Sequence, residues 1–261
     1  MKSTFLSLYQ VRISAIHSLD PRVKIIVTLL VILSNALLPD GAWLAFGITW
    51  GMLLGVTYLA AIPLNFLLSR SLIVLPFAFA AITTIFSTPG PPLATLAYPP
   101  VTITAPGLIR FGSVMLQSWL SVQAAILLSA ATPFPDLIHA LRHLKIPPIL
   151  VSIISFMYRY LFVLTEEAKR LLRARTSRSA RRPHHKGGGS LAWKAKTSGN
   201  LVGQLFLRSL ERSERIYQTM QSRGFRGNLL TLNPHLMGIT DWLALGAALM
   251  VLFGIQTCGR W

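Results

Sequence analysis

Residues 149–164 read ILVSIISFMYRYLFVL, and residues 165–182 continue TEEAKRLLRARTSRSARR. The first stretch is apolar enough for a membrane span. The second carries seven Lys and Arg, from Lys169 to Arg182, against Glu166 and Glu167. Arg142, His143 and Lys145 stand just ahead of the pair. A full crossing at 149–164 would put the two basic groups on opposite faces of a bilayer. Short basic segments stay on the cytoplasmic face. The apolar run is therefore expected to form a helix that starts at the membrane face, does not cross, and continues as a polar helix to about Arg178.

The chain around it belongs to the membrane class. It is 52% hydrophobic and 13% charged, with a mean hydropathy of +0.55; soluble domains carry about 25% charged residues. The net charge is +17, from 25 Lys and Arg against 8 Asp and Glu. Spread evenly, that excess would suggest nucleic acid. Instead residues 1–130 hold only Lys2, Arg12, Arg22, Lys24, Arg70 and Arg110, and every later Lys or Arg but Arg260 falls between Arg142 and Arg226. A basic block between apolar segments marks a cytoplasmic loop beside anionic lipid, and no nucleic-acid partner is expected.

Five spans are expected by length and hydropathy: Val23–Leu38, Ala42–Ile62, Ser71–Ser87 kinked at Pro76, Gly107–Ala131 and Gly238–Ile255. Asp20-Pro21 reads as a cap followed by proline in the first turn of the first span. Pro39-Asp40-Gly41 is a tight turn. Residues 88–106, rich in proline and without charge, read as an ordered or partly inserted loop on the far side. No signal-peptide pattern precedes Val23, so that run is expected to remain as an anchor. The fold class is thus an all-α, polytopic helical membrane protein. Its regions are residues 1–131 with four spans, 132–237 as cytoplasmic helices, and 238–261 with the last span. The N-terminus is placed inside the cell membrane and the C-terminus outside.

Within the cytoplasmic segment, Phe134–Arg142 is a short amphipathic helix with Leu137, Ile138 and Leu141 on one face. The second helix covers Ile149–Arg178, with Glu166 four residues ahead of Arg170. Residues 181–203, with Pro183 and Gly187-Gly188-Gly189, read as a linker. The third helix covers Leu201–Arg223, marked by Phe206, Leu210, Ser213, Tyr217 and Met220, with a Glu211–Arg215 pair and a left-handed cap at Gly224.

Both long helices end in a small residue, an arginine and a small residue: Ser177-Arg178-Ser179 and Ser222-Arg223-Gly224. A cation is favoured at a helix C-terminus, and arginine presents a fork of donors to carboxylates and carbonyls. Small neighbours let such a tip enter a groove. Ala174-Arg175-Thr176 is a competing frame for the first tip. Two tips suit two copies of one partner.

Three stretches resemble the transmembrane coupling subunit of energy-coupling-factor transporters, in its cobalt/nickel branch. They are Leu19-Asp20-Pro21-Arg22-Val23-Lys24, the region from Pro133-Phe134-Pro135-Asp136-Leu137 to Glu166-Glu167-Ala168, and Gly203–Tyr217 leading into Ser222-Arg223-Gly224-Phe225-Arg226-Gly227. The resemblance implies a non-catalytic subunit that joins two cytoplasmic ABC-type ATPases to a substrate-binding integral membrane subunit, for cobalt or nickel uptake. Two Ala-Arg-Gly-like motifs would enter grooves on the ATPases, which places the contacts at Arg178 and Arg223. Ser177 and Ser179 depart from that pattern.

Other constellations carry less. His139 and His143 share a helix face without a third ligand, and Arg142 and Lys145 would repel a cation. His184-His185 sits in a glycine-rich segment without further ligands. Gly187-Gly188-Gly189-Ser190 lacks the lysine of a phosphate-binding loop. No nucleophile elbow or intramembrane carboxylate pair is present, so neither catalysis nor a cofactor is expected. A permease binding its own substrate is the rival reading. It would need polar groups inside the spans, and Asn35, Gln117 and Gln123 are the main ones.

Overall fold

Asp20 opens the membrane region as the sequence suggests. Its Oδ1 accepts from the Arg22 amide at 2.8 Å, and Pro21 fills the first helical position of α2 (Pro21–Ala36), after the single turn α1 (Ala15–Ser18). The structure is a computed structural model; it describes residues 9–10, 12, 14–96, 101–144, 146–178, 190–227 and 237–260. The turn after α2 closes with the Ala42 amide on the Pro39 carbonyl and Gly41 at φ +87°. α3 (Trp43–Leu59) then runs back.

α3 ends in a turn that the sequence did not advertise. Ala61 takes a left-handed φ of +54°, its amide bonds Tyr58 O and the Ile62 amide bonds Thr57 O. That pattern is the six-to-one and five-to-two closure usually given to glycine. The next helix therefore starts at Leu64, not Ser71: α4 (Leu64–Ser71), a 3₁₀ turn at Leu72–Val74, and α5 (Leu75–Ser87). Pro76 lies in the first turn of α5, where its missing N–H costs nothing, and the stretch Leu64–Phe77 is bent by 48° against Phe79–Ser87.

The proline-rich segment is not all loop. Strands β1 (Pro92–Leu96) and β2 (Val101–Thr104) pair antiparallel, and Thr104 caps the following helix by accepting from the Gly107 amide at 3.2 Å. That helix, α6 (Ala105–Ala131), is the hub of the membrane unit and packs against α2, α3, α4 and α5. Its Leu120, Ala124, Leu127 and Ala130 are buried in the core with Val31, Phe46 and Leu53. α7 (Phe134–His143) packs on α2, and α10 (Ile239–Cys258) packs on α2 and α3.

Polar side chains join these helices. Asn35 donates through Nδ2 to Gln117 O at 2.7 Å and Ser121 Oγ at 2.9 Å, and Gln117 donates to Leu38 O at 3.1 Å. Gln256 of α10 donates to Ser34 O and Oγ. Three described helices are long and apolar enough to cross a membrane: Ala105–Ala131, Pro148–Arg178 and Ile239–Cys258. The bent pair Leu64–Phe77 and Phe79–Ser87 makes a fourth where the two are taken as one span, and Trp43–Leu59 is apolar but shorter. α2, with 16 residues, spans about 24 Å along its axis, short of a full hydrocarbon core.

The chain divides into two compact units, Met1–Leu144 with Asn233–Trp261, and Lys145–Leu232. The second consists of α8 (Pro148–Arg178) and α9 (Leu191–Ser222). α9 corrects the expected linker: residues 191–203 are helical. Ser190 provides the start by accepting from the Trp193 amide at 3.3 Å, a local cap that outweighs the glycines at 199 and 203. The amphipathic helix α7 falls in the first unit.

Candidate functional site

The second unit is a pair of helices held along one polar and one apolar seam. The polar seam centres on Glu167 of α8. Arg212 Nη2 lies 2.9 Å from Oε2, and Arg208 Nη1 lies 3.4 Å from Oε1. Glu167 is mostly sheltered while the arginines are more open, so each pair contributes a fraction of a kcal/mol up to about 1 kcal/mol. Arg215, expected to pair with the Glu211 carboxylate, instead donates through Nε to the Glu211 backbone oxygen at 3.4 Å.

The apolar seam is a groove of about 480 Å³. α8 supplies Phe156, Met157, Tyr160 and Leu164; α9 supplies Phe206, Leu210, Ser213, Tyr217 and Met220, the five residues whose spacing marks its face. Phe206, Tyr217 and Met157 remain 56–62% exposed. An open aromatic and methionine surface of this kind marks an interaction face.

α9 ends in a closed tip. The Gly224 amide bonds Gln221 O at 2.9 Å, the Phe225 amide bonds Met220 O at 3.0 Å, and Gly224 sits at φ +79°. Phe225 folds back beside Met220 and meets Phe156 of α8 edge to face. Ser152 Oγ of α8 donates to Gly227 O at 3.1 Å, so the segment after the tip is also anchored. The closure leaves Arg223, at the cap position, exposed. Ser222 Oγ turns inward to Gln218 O at 3.0 Å.

The tip of α8 separates the two competing arginines. Arg175 is half-buried; its guanidinium lies 5.9 Å from the centre of the Trp193 ring, and Nη1 donates to Ser198 Oγ at 3.2 Å. Arg178, one turn on, is exposed. Ser177 Oγ donates to Ala174 O at 3.0 Å, whereas Ser179 lies outside the described residues, as do Lys145 and His184-His185. Sequence spacing alone had no means of finding the Arg175–Trp193 contact, because it depends on where α9 begins.

His139 and His143 do share a face, with ring centres 4.8 Å apart and His143 Nδ1 3.1 Å from His139 O. Among the described residues no group of three or more His, Cys, Asp or Glu side chains could hold a metal ion.

Fold and site define a multi-pass helical membrane protein with an appended two-helix unit whose basic tips are exposed. The chain matches the model of the CbiQ family, described as cobalt transport protein, over residues 13–235. It belongs to that family, a membrane transport family that includes the transmembrane components of energy-coupling-factor transporters. An uncharacterised protein of Methanocaldococcus jannaschii is 30% identical over 254 residues, covering 93% of this chain and 84% of its own. Cobalt transport protein CbiQ of Salmonella typhimurium is 32% identical over 162 residues, 59% of this chain and 69% of its own. The energy-coupling factor transporter transmembrane protein EcfT of Thermanaerovibrio acidaminovorans is 27% identical over 254 residues, 93% of this chain and 91% of its own.

Proposed function

We propose that the chain is the membrane coupling subunit of an energy-coupling-factor importer. It joins two cytoplasmic ABC-type ATPases to a substrate-binding integral membrane subunit, and the cargo is Co²⁺ or Ni²⁺. The observation that carries this reading is the pair of exposed arginines, Arg178 and Arg223, at the last residue of α8 and the cap of α9. Arg175 is occupied by Trp193 and Ser198, which favours the 177–179 frame over 174–176. In the threading that goes with it, N-terminus inside and C-terminus outside a plasma or inner membrane, α8 lies along the inner face. Hydropathy does not decide this, because α8 is as long and as apolar as a span. The charge that follows it supports this threading. The groove between α8 and α9 then receives the substrate-binding partner, and ATPase closure moves that groove.

The test is to purify the complex through a tag on this chain and identify its members by mass. Two ATPase copies and one further membrane protein are expected. Arg178→Ala and Arg223→Ala should each lower ATPase retention and ATP-dependent Co²⁺ uptake, and Arg175→Ala should not lower retention. Full retention in the Arg178→Ala, Arg223→Ala double variant removes the two tips from the mechanism.

One observation favours the rival permease. Gln123 is fully buried in α6 and neither of its amide atoms has a hydrogen-bond partner. Against it, the amide nitrogens of Asn35 and Gln117 already donate to neighbouring segments, to Gln117 O and Leu38 O, although Asn35 Oδ1 is likewise buried without a partner. Co²⁺ uptake by this chain expressed alone, abolished by Gln123→Leu, would establish the permease.

A further inference from the structure

Each arginine tip stands the same distance from one ion pair. Arg178 lies eleven residues beyond Glu167 on α8, and Arg223 lies eleven residues beyond Arg212 on α9. Eleven helical residues make about three turns, or about 16 Å. In the pair that joins the two helices, Arg212 Nη2 is 2.9 Å from Glu167 Oε2, and Arg208 Nη1 closes on Oε1 at 3.4 Å. The helices run antiparallel, because later residues of α8 meet earlier residues on the α9 side. Ser152 bonds Gly227, Phe156 meets Phe225, Glu167 meets Arg212 and Arg208, and Arg175 meets Ser198. The two tips therefore lie on opposite sides of Glu167, at the ends of two equal arms.

The chemistry of this middle contact differs from that of its flanks. Towards the α9 tip the helices meet through apolar side chains of the groove, Phe156 and Tyr160 against Ile216 and Met220 among them. Towards the α8 tip they meet through Arg175 on the Trp193 ring and Ser198. Glu167 sits between, and among the described residues it is the carboxylate that forms ion pairs from α8 to α9. Arg208 and Arg212 are one turn apart on one face of α9, so they hold the carboxylate from both sides along the helix axis. A slide of one helix along the other lengthens one of the two pairs. A change of crossing angle about Glu167 keeps both close, because charge attraction depends on distance more than on direction. Half-exposed pairs of this kind add little stability, so what distinguishes them is where they hold the helices.

We infer that Glu167, held by Arg208 and Arg212, is the pivot of a two-armed lever. It keeps the register of α8 and α9 while their crossing angle changes, so that two ATPases acting on Arg178 and Arg223 move equal arms. This rests on the coupling-subunit reading above. Glu167 is a positioning residue: it acts through the two tips and not on nucleotide or cargo. Without the pivot, force applied at one tip is taken up by sliding of the helices and does not reach the other arm. ATP is then hydrolysed without matching import.

The test uses the whole complex in proteoliposomes, with ATP hydrolysis and ⁵⁷Co²⁺ uptake measured on one preparation. Glu167→Arg and Arg212→Glu each bring like charges together. Both should retain the ATPases and hydrolyse ATP within about twofold of wild type, while Co²⁺ imported per ATP falls about fivefold, the factor that one such ion pair supplies. The double variant Glu167→Arg, Arg212→Glu restores an opposite-charge pair and should bring the ratio back to within about twofold of wild type. If Glu167→Arg does not assemble, Glu167→Gln decides, because it keeps the shape of the side chain and removes only its charge; its ratio should fall at least about twofold. An unchanged uptake-to-ATP ratio in Glu167→Gln, or a double variant no better than the single ones, overturns the pivot. A wild-type complex without ATPases would overturn the coupling-subunit reading itself, and the pivot with it; a wild type that couples beside variants that couple equally well overturns the pivot alone.

Discussion

The ring of Phe225 stands edge-on to that of Phe156, with centroids 6.3 Å apart and planes at 75°. The contact fastens the closed end of α9 to the apolar half of α8, so the cap that presents Arg223 has a support outside its own helix. An edge-to-face pair contributes about 1 kcal/mol beyond the area it buries. Phe225→Ala should therefore lower the unfolding midpoint and speed hydrogen exchange at the Gly224 and Phe225 amides, which bond Gln221 and Met220. Exchange there at the wild-type rate would show that the helix closes without its aromatic anchor.

Two glycines of α9 and its cap should respond to alanine with opposite signs. A Cβ at Gly224 would meet nothing within 4 Å, yet its φ of +79° disfavours any side chain. Gly224→Ala should cost about 1–2 kcal/mol through the backbone alone. Gly203 also has open space around it but lies inside the helix. Gly203→Ala should stabilise by about 0.5–1 kcal/mol. Urea or thermal unfolding of the two variants side by side separates conformation from crowding, because neither site is crowded.

What the sequence made legible follows the range of the interaction. The helix of 149–178 and the face of Phe206, Leu210, Ser213, Tyr217 and Met220 depend on spacing within one helix, and they stand as expected. The cap at Gly224 is equally local. Arg175 on Trp193 and Glu167 on Arg208 and Arg212 join residues 18 to 45 positions apart on different helices, and no periodicity encodes such register. The start of α9 was obscured because glycine and lysine composition suggested a linker, while the decisive signal was one serine, Ser190. Likewise Ala61 adopts a backbone conformation for which alanine gives no advance sign. The hairpin 92–104 was obscured by the prolines around it.

Asn35 discriminates helix adhesion from cargo binding. It is 1% exposed and donates to α6 twice. Bonds of this type between membrane helices contribute about 0.6 kcal/mol and at most about 1.7 kcal/mol. Asn35→Ala should thus lower the melting temperature of the detergent-solubilised protein modestly and leave Co²⁺ uptake per assembled complex unchanged. A selective loss of uptake at full assembly would instead make it part of a permeation path.

His17 gives the N-terminal turn a pH dependence. Burial, with Lys24 nearby, outweighs the hydrogen bond to Gln10 O and holds its pKa below the usual 6.5. Nε2 lies 3.1 Å from that carbonyl and Nδ1 lies 2.8 Å from Ser14 Oγ, which assigns the proton of the neutral ring to Nε2. The unfolded chain therefore binds the proton more readily than the folded one. The contribution of neutral His17 is fully present above pH 6.5 and is lost as pH falls through and below that value. Between pH 7.5 and 5 the melting temperature of the wild type should fall relative to His17→Gln, and a parallel pair of curves would remove His17 from the balance.

Cys258, the one cysteine of the chain, is exposed at the end of α10 and makes the threading directly measurable. Five crossings from an inside N-terminus put Cys258 on the outer face and the tip of α9 on the inner face. If α8 crossed as well, α9 and its tip would move to the outer face, and α10 would return Cys258 to the inside. A membrane-impermeant maleimide applied to intact cells should label the native protein at Cys258. In a Cys258→Ser background carrying Arg223→Cys, the same reagent should label only after permeabilisation. The two sites exchange their accessibility under the alternative, so the pair of measurements separates the threadings even where one label reacts slowly. Since α8 matches a true span in length and apolar content, only the cost of placing its basic neighbours outside distinguishes the two arrangements, and this labelling shows which of them the chain adopts.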